Sequence, residues 1–231
     1  MQSDISSCLI IHGFGGGVNE VKILADYLTD KGYVTSCTKL KGHTGNGKDM
    51  LDANYNDWIS SAEEDLKKLM ETTRNIVIIG FSMGGLIAVN LACKYNIKAI
   101  ITINTPIYYW NFKRILLNIL DDCKNKKCNN LIRYIDAKKS SPIISMINFL
   151  ILKNSTKEKF CNINCPFLIM QAKDDDAVKL KSVNYIYNNI SSKIKKVKFY
   201  EDGGHLILES QTKDKVCLDA DEFLKKLTLL N

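Results

Sequence analysis

Long hydrophobic runs are missing from this chain. Its first apolar stretch, residues 8–11, is far shorter than the ~20 residues a membrane-crossing helix needs. Residues 1–7 carry no basic leader, so neither a signal peptide nor stable membrane insertion is expected. Histidine is scarce, with only His12, His43 and His205 present. The Cys123/Cys128 and Cys161/Cys165 pairs are not followed by a histidine or a second pair at zinc spacing, so no metal site is expected. A chain of 231 residues needs no disulfide staples, and its eight cysteines read as reduced, mostly buried thiols of a cytoplasmic protein. No internal repeat or low-complexity linker interrupts it.

The charge balance excludes a further class of partner. The formal net charge is +7, but the lysines are scattered among acidic residues and asparagines. The densest cluster, Lys124-Asn125-Lys126-Lys127, has neither a phosphate-cradling loop nor interleaved aromatics. This excess reads as solvated surface, and no nucleic-acid partner is expected. With 45% hydrophobic and 25% charged residues the chain falls among globular domains, not disordered ones.

What is present is alternation. Short apolar runs at 8–11, 33–40, 76–79, 97–103, 167–171 and 196–200 read as strands. Between them, helical spacing places Val21, Leu24, Ala25 and Leu28 on one face. A second helix starts near Asp57 and buries Trp58, Ala62, Leu66 and Leu69. Further helices are expected at 86–95, 179–190 and 213–227. The pattern predicts a mostly parallel sheet of about six strands with helices on both faces. Residues 105–165 break the rhythm, being too long for a connection and too apolar for a linker. They read as a small helical cap inserted into a core formed by residues 1–104 and 166–231.

Gly80-Phe81-Ser82-Met83-Gly84 stands directly between a predicted strand and a predicted helix. There G-x-S-x-G forces a sharp turn that strains the serine backbone and presents its hydroxyl at a helix N-terminus. By itself the motif also occurs as a plain glycine-rich turn; the flanking elements favour the nucleophile reading for Ser82. A serine hydroxyl needs a base to take its proton. His12 and His43 precede the nucleophile, whereas His205 follows the last strand at the sheet edge where such sites are built. A lone histidine more often serves packing than catalysis; chain order and loop placement single out His205 as the base.

An orienting carboxylate is expected from Asp174-Asp175-Asp176, after the fifth strand. The three neighbours cannot all face one imidazole, and Asp175 is preferred, with Asp174 next. The oxyanion hole needs two backbone N–H groups. One is that of Met83; the other is assigned to Phe14, in the loop His12-Gly13-Phe14-Gly15-Gly16-Gly17. That loop does not match the dinucleotide spacing G-x-G-x-x-G, so no nucleotide cofactor is expected.

These residues together, with Gly42-His43, Gly85, Gln171-Ala172-Lys173 and Gly204-His205, resemble the small bacterial carboxylesterases and monoacylglycerol lipases of the α/β-hydrolase superfamily. The likeness runs over almost the whole chain and is weakest after Pro106. It implies an α/β-hydrolase fold and two-step acyl transfer on short- to medium-chain esters or monoacylglycerols, with no cofactor. In that family an aliphatic residue follows the acid by three positions, which Asp175 with Val178 satisfies better than Asp174 with Ala177.

Two features depart from the family pattern. Too few residues precede the first parallel strand for the usual leading hairpin, so a short, uncovered sheet edge is expected beside 33–40. The cap carries Tyr108, Tyr109, Trp110 and Phe112 among many lysines, which puts the acyl preference in doubt. The same triad would serve a thioesterase or lysophospholipase. A non-catalytic ligand sensor on this fold is the other alternative. The partner implied is a small-molecule ester, and no oligomeric state is assigned.

Overall fold

The computed structural model describes residues 7–109 and 142–228. Within them six strands form one sheet: β1 (Ser7–Ile11), β2 (Val34–Thr38), β3 (Ile76–Phe81), β4 (Ala99–Ile103), β5 (Phe167–Ala172) and β6 (Lys195–Tyr200). Every pairing is parallel, in the order β2-β1-β3-β4-β5-β6. Six α-helices accompany it among the described residues. They are α1 (Asn19–Asp30), α2 (Tyr55–Thr72), α3 (Met83–Ala92), α4 (Ile143–Lys157), α5 (Lys181–Asn189) and α6 (Lys213–Thr228).

The period-two alternation of the strands separates two cores. Leu9, Ile11, Ile76 and Ile78 pack against α2, α3, α4 and α5, while Cys8, Ile10, Val77 and Ile79 pack against α1 and α6. Both faces of the inner strands are covered, so β1, β3, β4 and β5 are buried throughout. Helix α3 is apolar nearly all round for the same reason, lying between the sheet and α2 and α4.

Several boundaries differ from those expected. Helix α2 starts at Tyr55, two residues before Asp57, because Asn54 caps it. The Asn54 side chain accepts from the N–H groups of Asn56 and Asp57, and the Asp57 carboxylate accepts from the Asn54 N–H at 2.8 Å. Strand β2 covers only Val34–Thr38 of the expected 33–40, since β1 supplies ladder partners for just that stretch. β4 begins at Ala99, two residues after Ile97. β2 is the edge strand as expected, and the residues expected to leave it uncovered, 1–6, lie outside those described.

Of the segment 105–165, residues 105–109 and 142–165 are described; Trp110, Phe112, Cys123, Cys128 and the 124–127 lysine cluster lie outside. Helix α4 packs on α3 and α2 through Phe149 and Leu152. Around Phe149 the aliphatic residues face outward: Ile143 is 79%, Ile147 50% and Leu150 38% exposed. Phe149 and Ser145 carry the contact instead, Phe149 buried and Ser145 donating to the Met50 carbonyl at 3.1 Å.

Candidate active site

The strand-to-helix turn after β3 places Ser82 at φ 50° and ψ −118°, a conformation rare for any residue with a side chain. Its neighbours make that turn possible by having no side chains. A Cβ on Gly80 would meet the backbone of Gly84 and Gly85. One on Gly84 would meet the Ile11 carbonyl, and one on Gly85 the Thr105 side chain. The Ser82 N–H donates to the Ile103 carbonyl at 2.8 Å, and Thr105 Oγ1 donates to the Ser82 carbonyl at 3.2 Å. Thus the end of β4 holds Ser82 on both sides.

His205 Nε2 lies 3.0 Å from Ser82 Oγ, and His205 Nδ1 lies 3.0 Å from Asp175 Oδ2. Asp175 is buried, with Oδ1 accepting the N–H groups of Ala177 and Val178 at 2.8 Å each and Oδ2 accepting Gln171 Nε2 at 3.2 Å. These bonds fix the carboxylate with both oxygens in reach of the imidazole, Oδ2 the nearer and Oδ1 at 3.2 Å from Nδ1. Asp174 turns elsewhere, accepting the Gly204 N–H at 2.8 Å. Asp176 is buried and adds negative charge near the imidazole.

Burial alone would lower the His205 pKa. The charge and hydrogen bond of Asp175, reinforced by Asp176 and Glu20, outweigh it and hold the imidazole above its ordinary value. Such a histidine binds a proton readily, as a base must when it accepts one from a hydroxyl.

The loop after β1 runs against the serine. A Cβ on Gly13 would lie 3.3 Å from Ser82 Cβ and 3.3 Å from the Phe81 ring, so a side chain there would push the loop back by a few tenths of an ångström. Phe14 follows Gly13, and its ring packs on Phe149 at 5.3 Å and Trp58 at 5.7 Å between centroids. Met83 is the first residue of α3, where a backbone N–H has no acceptor within the helix. Tyr109 packs on Phe149 at 5.2 Å and bridges to Val178, joining the start of the 105–165 segment to the acid loop. Phe14, Tyr109 and Phe149 therefore form one aromatic group that runs from the loop after β1 to the acid loop.

His12 and His43 stand apart from this chemistry. Both are buried, with ring centroids 5.2 Å apart. Burial lowers the pKa of each, that of His12 to about 4, which keeps His12 neutral in its bonds to the Gly13 carbonyl and the Leu40 N–H. Among the described residues no group of three or more His, Cys, Asp or Glu side chains is arranged to hold a metal.

Three polar residues at the site were given no role from the sequence, Gln171 entering only through the resemblance. Gln171 is the penultimate residue of β5 and bonds Asp175. Asn104 follows β4 and bonds the histidine loop. Glu20 of α1 accepts the Gly13 N–H at 3.2 Å, and burial is the main reason its carboxyl is raised to about 7. For Gln171 and Asn104 the available signal was position: a polar side chain at the C-terminal end of a buried strand, where α/β sites are built; Glu20, in the first turn of α1, carried no such signal.

Known proteins share this architecture. A family model described as the alpha/beta hydrolase fold matches residues 9–132. A carboxylesterase of Bacillus subtilis is 25% identical over 226 residues, spanning 95% of this chain and 92% of that protein. A thermostable monoacylglycerol lipase of a Bacillus species is 30% identical over 200 residues, spanning 82% of this chain and 78% of that protein. Among solved structures, one from a study of two metagenome-derived lipolytic enzymes superposes with a TM-score of 0.80 at 19% identity, covering 96% of this chain and 94% of that one.

Proposed function

The chain belongs to the alpha/beta hydrolase fold family, and from that membership we infer that it is a carboxylic ester hydrolase working through an acyl-enzyme on Ser82. The observation that carries the mechanism is the unbroken line Ser82 Oγ, His205 Nε2, His205 Nδ1, Asp175, with 3.0 Å at each junction. Ser82 Oγ attacks the ester carbonyl carbon while His205 takes its proton, and Asp175 stabilises the imidazolium. The carbonyl oxygen gains charge and is held by the N–H groups of Phe14 and Met83 at the α3 N-terminus. Collapse expels the alcohol, protonated by His205. Water then attacks the acyl-serine, giving its proton to His205, and the carboxylic acid leaves. No cofactor enters either half.

The substrate class we propose is short- to medium-chain acyl esters or monoacylglycerols, in keeping with relatives named carboxylesterase and monoacylglycerol lipase. In support, the aromatic group of Phe14, Tyr109 and Phe149 offers an apolar wall between the loop after β1, which meets Ser82 at Gly13, and the acid loop. Residues 105–165 serve as the cap over the site and 1–104 with 166–231 as the core. A cytoplasmic location belongs to the same reading. None of the helices among the described residues is long and apolar enough to cross a membrane.

The test is covalent labelling by a fluorophosphonate probe together with hydrolysis of p-nitrophenyl esters by wild type and Ser82→Ala. The expected result is labelling at Ser82 and a loss of roughly 10³-fold or more in the variant, since the residues act as a unit. Retained turnover in purified S82A protein refutes the mechanism.

A further inference from the structure

The sheet order poses a geometric problem. Ser82 follows β3 and His205 follows β6, with β4 and β5 between those strands. Adjacent strands lie about 4.8 Å apart, so three spacings put the two strand ends ~14 Å from one another. Yet Ser82 Oγ and His205 Nε2 are 3.0 Å apart. The loop after β6 must reach back across two strands, and Gly203 at φ 120° and Gly204 at φ 62° bend it there. A loop with two such glycines has little stiffness of its own.

Building on the hydrolase reading above, we propose that Asn104 is a positioning residue, anchoring the histidine loop to the end of β4 and so setting where the His205 imidazole stands. Asn104 is fully buried and sits at φ 49°, a left-handed conformation that asparagine tolerates better than most residues. Its Nδ2 donates to the carbonyls of Gly204 at 3.0 Å and His205 at 2.8 Å, and its Oδ1 accepts the Ala172 N–H at 2.9 Å. The orientation is unambiguous, because a flipped amide would set oxygen against two carbonyls and NH₂ against an N–H. Asn104 thus ties the chain of His205 to the end of β5, from which the Asp175 loop departs. Its neighbours Ile103 and Thr105 hold Ser82. The loop from β6 is fastened once at each strand it crosses: by Asp174 after β5, at the Gly204 N–H, and by Asn104 after β4.

Two variants test this. Asn104→Gly accepts the positive φ and removes the anchor; Asn104→Asp keeps an oxygen for Ala172 but turns a carboxylate oxygen toward the Gly204 and His205 carbonyls. Active sites are counted by the final extent of fluorophosphonate labelling, folding is followed by circular dichroism, and kcat, KM and the pH profile are measured on a p-nitrophenyl ester. The groups already acting on His205 are Asp175 and Asp176 from the acid loop and Glu20 from α1. With the anchor gone, kcat per labelled site falls about 10- to 100-fold, as misplacement by an ångström does, while KM stays within about threefold. The acid limb moves to lower pH in N104G, where the Asp175 contact loosens, and to higher pH in N104D, where a negative charge is added. Unchanged kcat per site and an unmoved limb in both variants overturn the proposal, as does failure of both to fold, which would make Asn104 a determinant of the fold alone. Ser82→Ala run in parallel separates the cases: activity surviving there refutes the hydrolase mechanism itself.

Discussion

Asp175→Asn changes one atom and should disable the base without unfolding the protein. The wild-type carboxylate uses Oδ1 for the N–H groups of Ala177 and Val178, at 2.8 Å each. In the asparagine variant the remaining oxygen is held there, because an NH₂ in that place would face two donors. The amide nitrogen must then take the position of Oδ2, where Gln171 Nε2 at 3.2 Å and His205 Nδ1 at 3.0 Å both donate in the wild type. Its NH₂ is then the nearer group to His205 Nδ1, the retained oxygen lying at 3.2 Å, and donation from it drives the imidazole proton to Nε2, facing Ser82 Oγ at 3.0 Å. The base then meets the nucleophile with a proton already in place and has no carboxylate to stabilise the imidazolium.

A loss of this kind costs on the order of 10⁴-fold in kcat, or ~5 kcal/mol of barrier. The folded state loses much less. Two backbone bonds survive and one buried donor, Gln171 Nε2, loses its carboxylate partner, which costs about 1–3 kcal/mol. Asp174→Asn is the control. It keeps an oxygen for the Gly204 N–H, so its loss should stay within about tenfold. The assay is kcat on p-nitrophenyl acetate with circular dichroism to establish folding. If D175N keeps a tenth of wild-type activity, or D174N proves equally damaging, the assignment of the acid is wrong.

Two other outcomes follow from the same site. His205 acts as a base only when neutral, and its pKa is raised; activity is therefore lost as pH falls through a value above the usual ~6.5. Glu20→Gln removes the weakest of the groups that raise it, a carboxyl held at about 7 and so only partly charged over the acid limb, and should move that limb of kcat/KM slightly to lower pH. A limb at or below the ordinary imidazole value, unmoved by E20Q, contradicts this. On the acyl side, each methylene buried against Phe14, Tyr109 and Phe149 adds roughly 0.8 kcal/mol, about fourfold in kcat/KM, until the pocket is full. Phe149→Ala and Tyr109→Ala should shift the optimum across a p-nitrophenyl ester series, and a profile left unmoved by both excludes these rings from the acyl site.

The strand and helix order was legible because each element carried its own period. Alternating Cys8, Leu9, Ile10 and Ile11 face two cores, and that requirement is local. The nucleophile turn was legible for a related reason: Gly80, Gly84 and Gly85 each sit where a Cβ would strike a neighbour, so the need for the turn is written as absent side chains. The Asp174–Asp176 run was harder. Three identical side chains offer no local difference, and only the turn that aims the N–H groups of Ala177 and Val178 at Asp175 decides among them. Burial along α4 is not legible from its composition either. Its composition calls for burial, but packing on α2 and α3 uses only the face of Ser145, Phe149, Leu152 and Thr156, leaving Ile143 and Ile147 outward.

Asn104 belongs to a kind of information that no local pattern holds. Its value depends on β4 lying between β3 and β5, with β6 beyond, and alternation of strands and helices does not specify that order. Read along the chain, Asn104 is a polar residue after an apolar run, a natural place for a turn. In the folded order it stands beneath the route the β6 loop must take to reach Ser82, and its two donors and one acceptor each find a backbone group there. A catalytic group can be read from chemistry because the reaction demands a hydroxyl, an imidazole and a carboxylate. A positioning group answers instead to the distance between strands, and many side chains could meet that demand at different points of the loop. The residues that hold a site together are therefore less predictable from sequence than those that react, and strand order has to be known before they can be found.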